Sequence, residues 1–295
     1  MGFFSGLFKD KQYDFNIVAN ATVSDNIEIV IVTDPGNVRT NNEDLAMAFI
    51  PEAHAGFSER GFLLVLADGM GGHNSGEIAS EMAIKTFGEN YYRRKGNVRK
   101  AIGYAIKLAN EKVYEASLTG ESLKGMGTTL TAIAIQEKNI YLAHVGDSRA
   151  FIFKNGYIEQ LSNDHTLVQH LLDTGEISQD EAKDHPQRNV LVNALGTKPF
   201  IEADIKSLNI DFEDGDIIFL CSDGLYEYIS PEEFCKHLQG ETDLKQIAEK
   251  LVNIAKQGGG QDNITLLLAG KSLSKQVEIK PLKATQDCEL IITKE

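Results

Sequence analysis

The chain has 295 residues, no tryptophan, and 29 lysines and arginines against 43 aspartates and glutamates, a net charge of −14. That balance, with no Lys/Arg-rich block anywhere, excludes nucleic acid as a main partner, because neutralising a phosphate backbone takes clustered cations. Hydrophobic residues at 42% and charged residues at 24% describe a globular protein, and apolar runs such as residues 62–67 fall far short of the ~20 residues of a transmembrane helix.

The first residues, Met1-Gly2-Phe3-Phe4-Ser5-Gly6-Leu7-Phe8-Lys9, are apolar. They lack the basic start and cleavage site of a signal peptide, and Gly6 stands where a myristoylation motif has Ser or Thr. The expected location is the cytoplasm. Cys221, Cys235 and Cys288 form an odd set without C-x-x-C spacing, which reads as free thiols in a reducing compartment.

Residues 27–33 (IEIVIVT) and 45–50 are rich in strand formers, and 62–67 (FLLVLA) reads as a strand buried on both faces. From Ser75 the period becomes helical, with Ala79, Met82, Ala83, Thr86 and Phe87 on one face. A second helix is expected over 98–117, with Val98, Ile102, Ala105, Ala109 and Val113 on its stripe. Residues 129–135, 140–145, 149–153 and 157–161 read as a meander of antiparallel hairpins. The polar stretch 162–189 contains Ser178-Gln179-Asp180-Glu181, a capping-box spacing, and reads as a small helical flap. Strands are expected at 202–208, 217–221 and 264–269, and helices at 231–238, with Pro in the first turn, and 243–256. Strand runs interleaved with helix pairs indicate an α+β layered sandwich. Residues 1–26 read as an N-terminal arm, 27–270 as the main domain and 271–295 as a C-terminal tail that either adds an edge strand or trails free.

Several familiar motifs are absent. Thr265 stands where a P-loop ending in Gly270-Lys271-Ser272 would need Gly. Gly146-Asp147-Ser148-Arg149-Ala150 is no G-x-S-x-G elbow, so Ser148 reads as a turn residue. What remains is a series of acids at strand ends: Asp68-Gly69, Asp223-Gly224, Gly146-Asp147, Asp262-Asn263 and Glu43-Asp44. Any one Asp-Gly can be a plain turn, as Asp214-Gly215-Asp216 illustrates. Five such acids on one rim could not all ionise without countercharge. An all-oxygen donor set favours Mg²⁺ or Mn²⁺ over Zn²⁺. Two such ions would also reverse the local sign for a phosphate, in a clamp ~3.5–4 Å across. Arg39, four residues before Glu43, would add a bidentate guanidinium for phosphate oxygens.

The ordered series Thr33-Asp34-Pro35-Gly36-Asn37-Val38-Arg39-Thr40-Asn41-Asn42-Glu43-Asp44, Ala67-Asp68-Gly69-Met70-Gly71-Gly72-His73, Gly125-Met126-Gly127-Thr128-Thr129, His144-Val145-Gly146-Asp147-Ser148-Arg149, Ser222-Asp223-Gly224-Leu225 and Gln261-Asp262-Asn263-Ile264-Thr265 resembles the bacterial form of the metal-dependent type 2C serine/threonine protein phosphatases. The resemblance covers residues 27–270. It implies a four-layer α-β-β-α sandwich, with two antiparallel sheets flanked by helix pairs and a metal cleft at one end.

It further implies hydrolysis of phosphoserine and phosphothreonine in proteins by a hydroxide bridging two Mn²⁺ or Mg²⁺ ions, opposing a serine/threonine protein kinase. Asp68 would bridge the ions and the Gly69 carbonyl would bind one. Asp223 and Asp262 would hold the other, Glu43 would act through a bound water with Asp44 in support, and Arg39 would grip the phosphate. Asp147 matches the position of a weaker third metal. Two departures stand out. Met70 replaces the histidine that some relatives use as general acid, which leaves protonation of the leaving group to a metal-bound water with His73 as the alternative donor, and Glu227 stands where many relatives have Asp. The alternatives are a non-catalytic phosphoprotein-binding module on the same fold and a phosphatase dedicated to a stress-response switch.

Overall fold

The computed structural model describes residues 15–18, 20–23, 27–51, 60–71, 75–239, 243–272 and 290–291. One sheet contains β1 (Phe15–Val18), β4 (Asp44–Pro51), β5 (Phe62–Met70), β7 (Leu130–Gln136), β8 (Asn139–Val145) and β11 (Asp204–Asp211) in that spatial order, with β6 (Gly127–Thr128) pairing the end of β5. The other runs β14 (Leu290–Ile291), β10 (Tyr157–Gln160), β9 (Arg149–Lys154), β12 (Ile217–Cys221), β13 (Ile264–Lys271), β3 (Ile27–Asp34), β2 (Asn20–Val23). Pairing is antiparallel except between β10 and β14.

Helices α1 (Ser75–Arg93) and α2 (Val98–Ser117) cover the first sheet. Their small residues (Ala79 and Ala83 on α1, Ala101, Ala105 and Ala109 on α2) are fully buried, so both helices lie close to the sheet and to each other. On the second sheet lie α6 (Pro231–Leu238) and α7 (Leu244–Gly258). Ser230 and Glu233 form a reciprocal capping box with Pro231 in the first turn of α6. On α7, Leu244, Ile247, Ala248, Leu251, Val252 and Ala255 form the buried stripe. A third apolar layer, including Leu64, Leu66, Ile133, Leu142, Ile152, Ile218 and Leu267, fills the space between the sheets. The four layers are thus helix, sheet, sheet, helix.

Within the polar insertion are α3 (Leu167–Asp173) and α4 (Gln179–Lys183), the latter opened by the Ser178–Glu181 capping box. Four features depart from the sequence-based expectations. The hairpins are no single meander: β7–β8 belongs to one sheet and β9–β10 to the other, so the chain changes sheet at residues 146–148. Strand β5 does not stop at Ala67 but continues through Asp68 and Gly69, paired with β6. A short helix α5 (Asp223–Tyr226) begins directly at Asp223. Residues before 27 contribute β1 and β2 as strands pairing with β4 and β3. Cys221 is a buried free thiol, and Cys288 lies outside the described residues. No helix among the described residues is long and apolar enough to cross a membrane.

Candidate active site

Strand register decides where the acids stand. Antiparallel pairing sets Asp44, at the start of β4, directly opposite Asp68 on β5. From the other sheet, β12 delivers Asp223 into the first turn of α5, and Asp262 immediately precedes β13. Asp147 sits in the sheet-to-sheet crossing between β8 and β9. The two sheets therefore place five predicted acids at one end of the sandwich, and the field on Asp68 comes from Asp44, Asp223, Asp147 and Asp262 together.

Burial and like charge act in the same direction here. Burial first, then the neighbouring carboxylates, holds the Asp68 and Asp223 carboxyls well above the ordinary carboxylate range. Asp44 is pushed up to about 6 by burial, partly offset by hydrogen bonds from Ser222 and Thr265 and a bond shared with Asp68. Asp147 is pushed up to about 7, by burial and then by the Asp164 carboxylate. The Ser222 hydroxyl donates to Asp44 Oδ2 at 2.7 Å and accepts from the Thr265 amide at 3.0 Å, tying β12 and β13 to β4.

Arg39 is half-exposed at the mouth, its Nη2 donating to Asp262 Oδ2 at 2.7 Å. This hydrogen bond is the main reason its guanidinium pKa is raised. Glu43 has its carboxyl pKa raised by burial, partly offset by a hydrogen bond from the Gly76 amide at the start of α1. Its backbone is fixed on both sides: the amide donates to Asn263 Oδ1 at 2.8 Å and the carbonyl accepts from the Gly69 amide at 3.1 Å. Residue 69 has to be glycine, because a Cβ there would lie 2.1 Å from the Gly76 carbonyl oxygen and 2.6 Å from that of Glu43.

The donor chemistry fits a hard divalent ion. All the predicted ligands are oxygens, and Asp44 Oδ1 and Asp223 Oδ1 are buried without any hydrogen-bond partner, an arrangement that favours either protons or a cation. Among the described residues no three His, Cys, Asp or Glu side chains already stand in a coordinating arrangement. Asp262 is engaged by Arg39, and Asp44 shares a bond with Asp68, so taking up an ion means exchanging these contacts.

Met70, the last residue of β5, carries no proton to give, and His73 lies outside the described residues. Glu227, at the C-cap of α5, accepts from Asn189 Nδ2 at 3.0 Å and lies 4.0 Å from Arg188, which connects the end of the polar insertion to the acid cluster. Residues the sequence did not single out by role are Ser222, Thr265 and Asn263. The Asn263 side chain accepts from Glu43 and donates to the Pro35 and Asn41 carbonyls at 3.1 and 2.8 Å, clamping the loop that carries Arg39. Their only sequence signal is adjacency to Asp223 and Asp262, since a buried hydrogen-bonding role leaves no periodic trace.

The Protein phosphatase 2C family model matches residues 52–269. The chain belongs to the protein phosphatase 2C family. It is a protein serine/threonine phosphatase of the bacterial type, a phosphoric monoester hydrolase. It is 36% identical over 246 residues to the protein phosphatase PhpP of Streptococcus pneumoniae, an alignment covering 82% of this chain and 96% of that protein. Among solved structures, the serine/threonine phosphatase of S. agalactiae superposes with a TM-score of 0.75 at 36% identity, covering 83% of this chain and 99% of the other. The catalytic domain of the serine/threonine phosphatase PstP, solved in complex with two manganese ions, superposes with a TM-score of 0.68 at 32% identity, covering 83% and 97%. The phosphatase thus shares with these relatives both the layered fold and nearly their whole length.

Proposed function

We propose that this phosphatase uses two divalent ions, Mn²⁺ or Mg²⁺, to hydrolyse phosphoserine and phosphothreonine in proteins, opposing a serine/threonine protein kinase. Asp68 and the Gly69 carbonyl, with Asp223 and Asp262, would hold the pair, Glu43 and Asp44 would support it, and Asp147 would take a weaker third ion. Such ions would supply positive charge for the phosphate oxygens and would lower the pKa of water toward neutrality. The observation that carries this reading is the buried acid cluster with unpartnered Asp44 Oδ1 and Asp223 Oδ1.

The chain's own groups have separable tasks. Arg39, half-exposed beside Asp262, swings to the phosphate and binds two of its oxygens in a fork. Ser222 and Thr265 orient Asp44, and Asn263 keeps the Arg39–Glu43 loop against β13. Cys221 does not attack phosphorus: burial pushes its pKa up to about 12, so it is not a thiolate at neutral pH. With Met70 at the rim, the leaving serine or threonine oxygen takes its proton from solvent in the cleft.

Hydrolysis of a phosphothreonine peptide with Mn²⁺, before and after a chelator, tests this. The expected result is phosphate release with Mn²⁺ and its loss on chelation. Phosphopeptide binding without phosphate release at saturating Mn²⁺ would instead favour a non-catalytic binding module.

A further inference from the structure

Outside the acids lies a buried set of hydroxyls that the proposed mechanism does not use. Thr129 and Ser148 are 2% and 0% exposed, and their hydroxyl oxygens are 2.8 Å apart. Thr129 stands between two of the acids. Its Oγ1 accepts from the Asp68 amide at 2.8 Å, and its own amide donates to the Asp68 carbonyl at 2.9 Å. Between β5–β7 pairing, which ends at Leu66–Thr131, and β5–β6 pairing at Gly69–Thr128, the Thr129 side chain thus replaces a ladder carbonyl.

On its other side Thr129 meets the turn that carries Asp147. Gly146 has φ +111°, and a Cβ there would lie 2.6 Å from both Cβ and Cγ2 of Thr129, so the turn rests on that side chain. Ser148 follows Asp147 directly. Its hydroxyl meets Thr129, while its carbonyl accepts from Thr131 Oγ1 at 2.8 Å. Asp68 belongs to one sheet, and Ser148 leads into β9 of the other. The Thr129–Ser148 contact is therefore a direct polar link between the strand of Asp68 and the crossing of Asp147.

We propose that Thr129 and Ser148 are a positioning pair that sets Asp68 relative to the Asp147 turn and so tunes the affinity of the acid cluster for divalent ions. This rests on the metal-site reading above. Both side chains are buried and closed to substrate. Groups that orient metal ligands from behind commonly change metal affinity by 10- to 100-fold when removed, and here removal leaves a buried Asp68 amide without its acceptor.

The test is calorimetric titration of Mn²⁺ into metal-free protein, with thermal unfolding in chelator as a check on the fold. Thr129→Val keeps the methyl against Gly146 and removes the hydroxyl; roughly tenfold weaker Mn²⁺ binding is expected. Thr129→Ser, which keeps the hydroxyl, should bind within about threefold of wild type. Ser148→Ala should weaken binding in the same direction, and the double variant should lose less than the product of the two single losses. If Thr129→Val does not fold, Ser148→Ala decides, since the Thr129–Asp68 bond remains in it. Folded variants binding Mn²⁺ within twofold of wild type would overturn the proposal. Asp223→Asn separates the two readings. If it binds Mn²⁺ like wild type, the metal-site reading itself fails; if it loses binding while Thr129→Val and Ser148→Ala keep it, only the positioning role fails.

Discussion

At one end of β12, Asp216 is buried beside Lys154, whose ammonium lies 2.6 Å from its carboxylate and 2.8 Å from Glu213. At the other end, Asp223 begins α5 in the field of Asp147, Asp262, Asp44 and Glu227, all of one sign. Burial raises both pKa values, but Lys154 and the Glu213 amide pull Asp216 back, whereas Asp223 remains well above the carboxylate range. Two acids flanking one short strand thus meet opposite environments. A buried carboxylate that the fold supplies with a base is structural; one left among other carboxylates is prepared for a cation.

Substitutions at the two ends should separate accordingly. Asp223→Asn or Asp262→Asn should remove turnover down to assay background with a native circular dichroism spectrum. Full activity of either at saturating Mn²⁺ would take that acid out of the site. Arg39→Ala should raise KM for a phosphopeptide about tenfold or more, the loss of a charge-assisted contact of ~1.5–3 kcal/mol, with a smaller change in kcat; an unchanged KM would remove Arg39 from phosphate binding. Lys154→Met, at the far end, should lower stability by about 1–3 kcal/mol in denaturant unfolding and leave kcat/KM alone. Lost activity in a folded Lys154 variant would erase the distinction between the ends.

The pH dependence of the metal-free protein gives the mildest contrast. Asp44 and Asp147 have carboxyls near 6 and 7 in the fold against an ordinary 3.8. The folded state therefore binds more protons than the unfolded chain between those values, and stability falls as pH rises through them. The melting temperature of metal-free protein should drop by roughly a few degrees from about pH 5 to about pH 8, and saturating Mn²⁺ should flatten the slope. A metal-free melting temperature that climbs over this window would contradict the raised pKa values.

Much of the fold could be read from runs and stripes. The FLLVLA run and the small-residue stripes of α1 and α2 have strong periods, because buried faces impose them. The change of sheet at residues 146–148 could not be read, since a hairpin and a crossing use the same turn residues. Helix α5 is four residues long, too short for a periodic signal. At the site, the acids stood out as Asp-Gly and Asp-Asn pairs after or before apolar runs, although Asp68 belongs inside β5 and not in a turn. The Arg39–Asp262 contact spans 223 positions and depends on tertiary folding alone. Ser148 looked like any turn serine, and only burial against Thr129 distinguishes it.

The central claim is that this rim holds protons only until divalent ions replace them. It is tested most directly by titrating Mn²⁺ calorimetrically into metal-free protein near pH 7, in two buffers of different ionisation enthalpy. The account predicts binding accompanied by proton release, as the raised carboxyls of the cluster ionise. Heats showing no binding, or binding without any exchange of protons with the buffer, would contradict it.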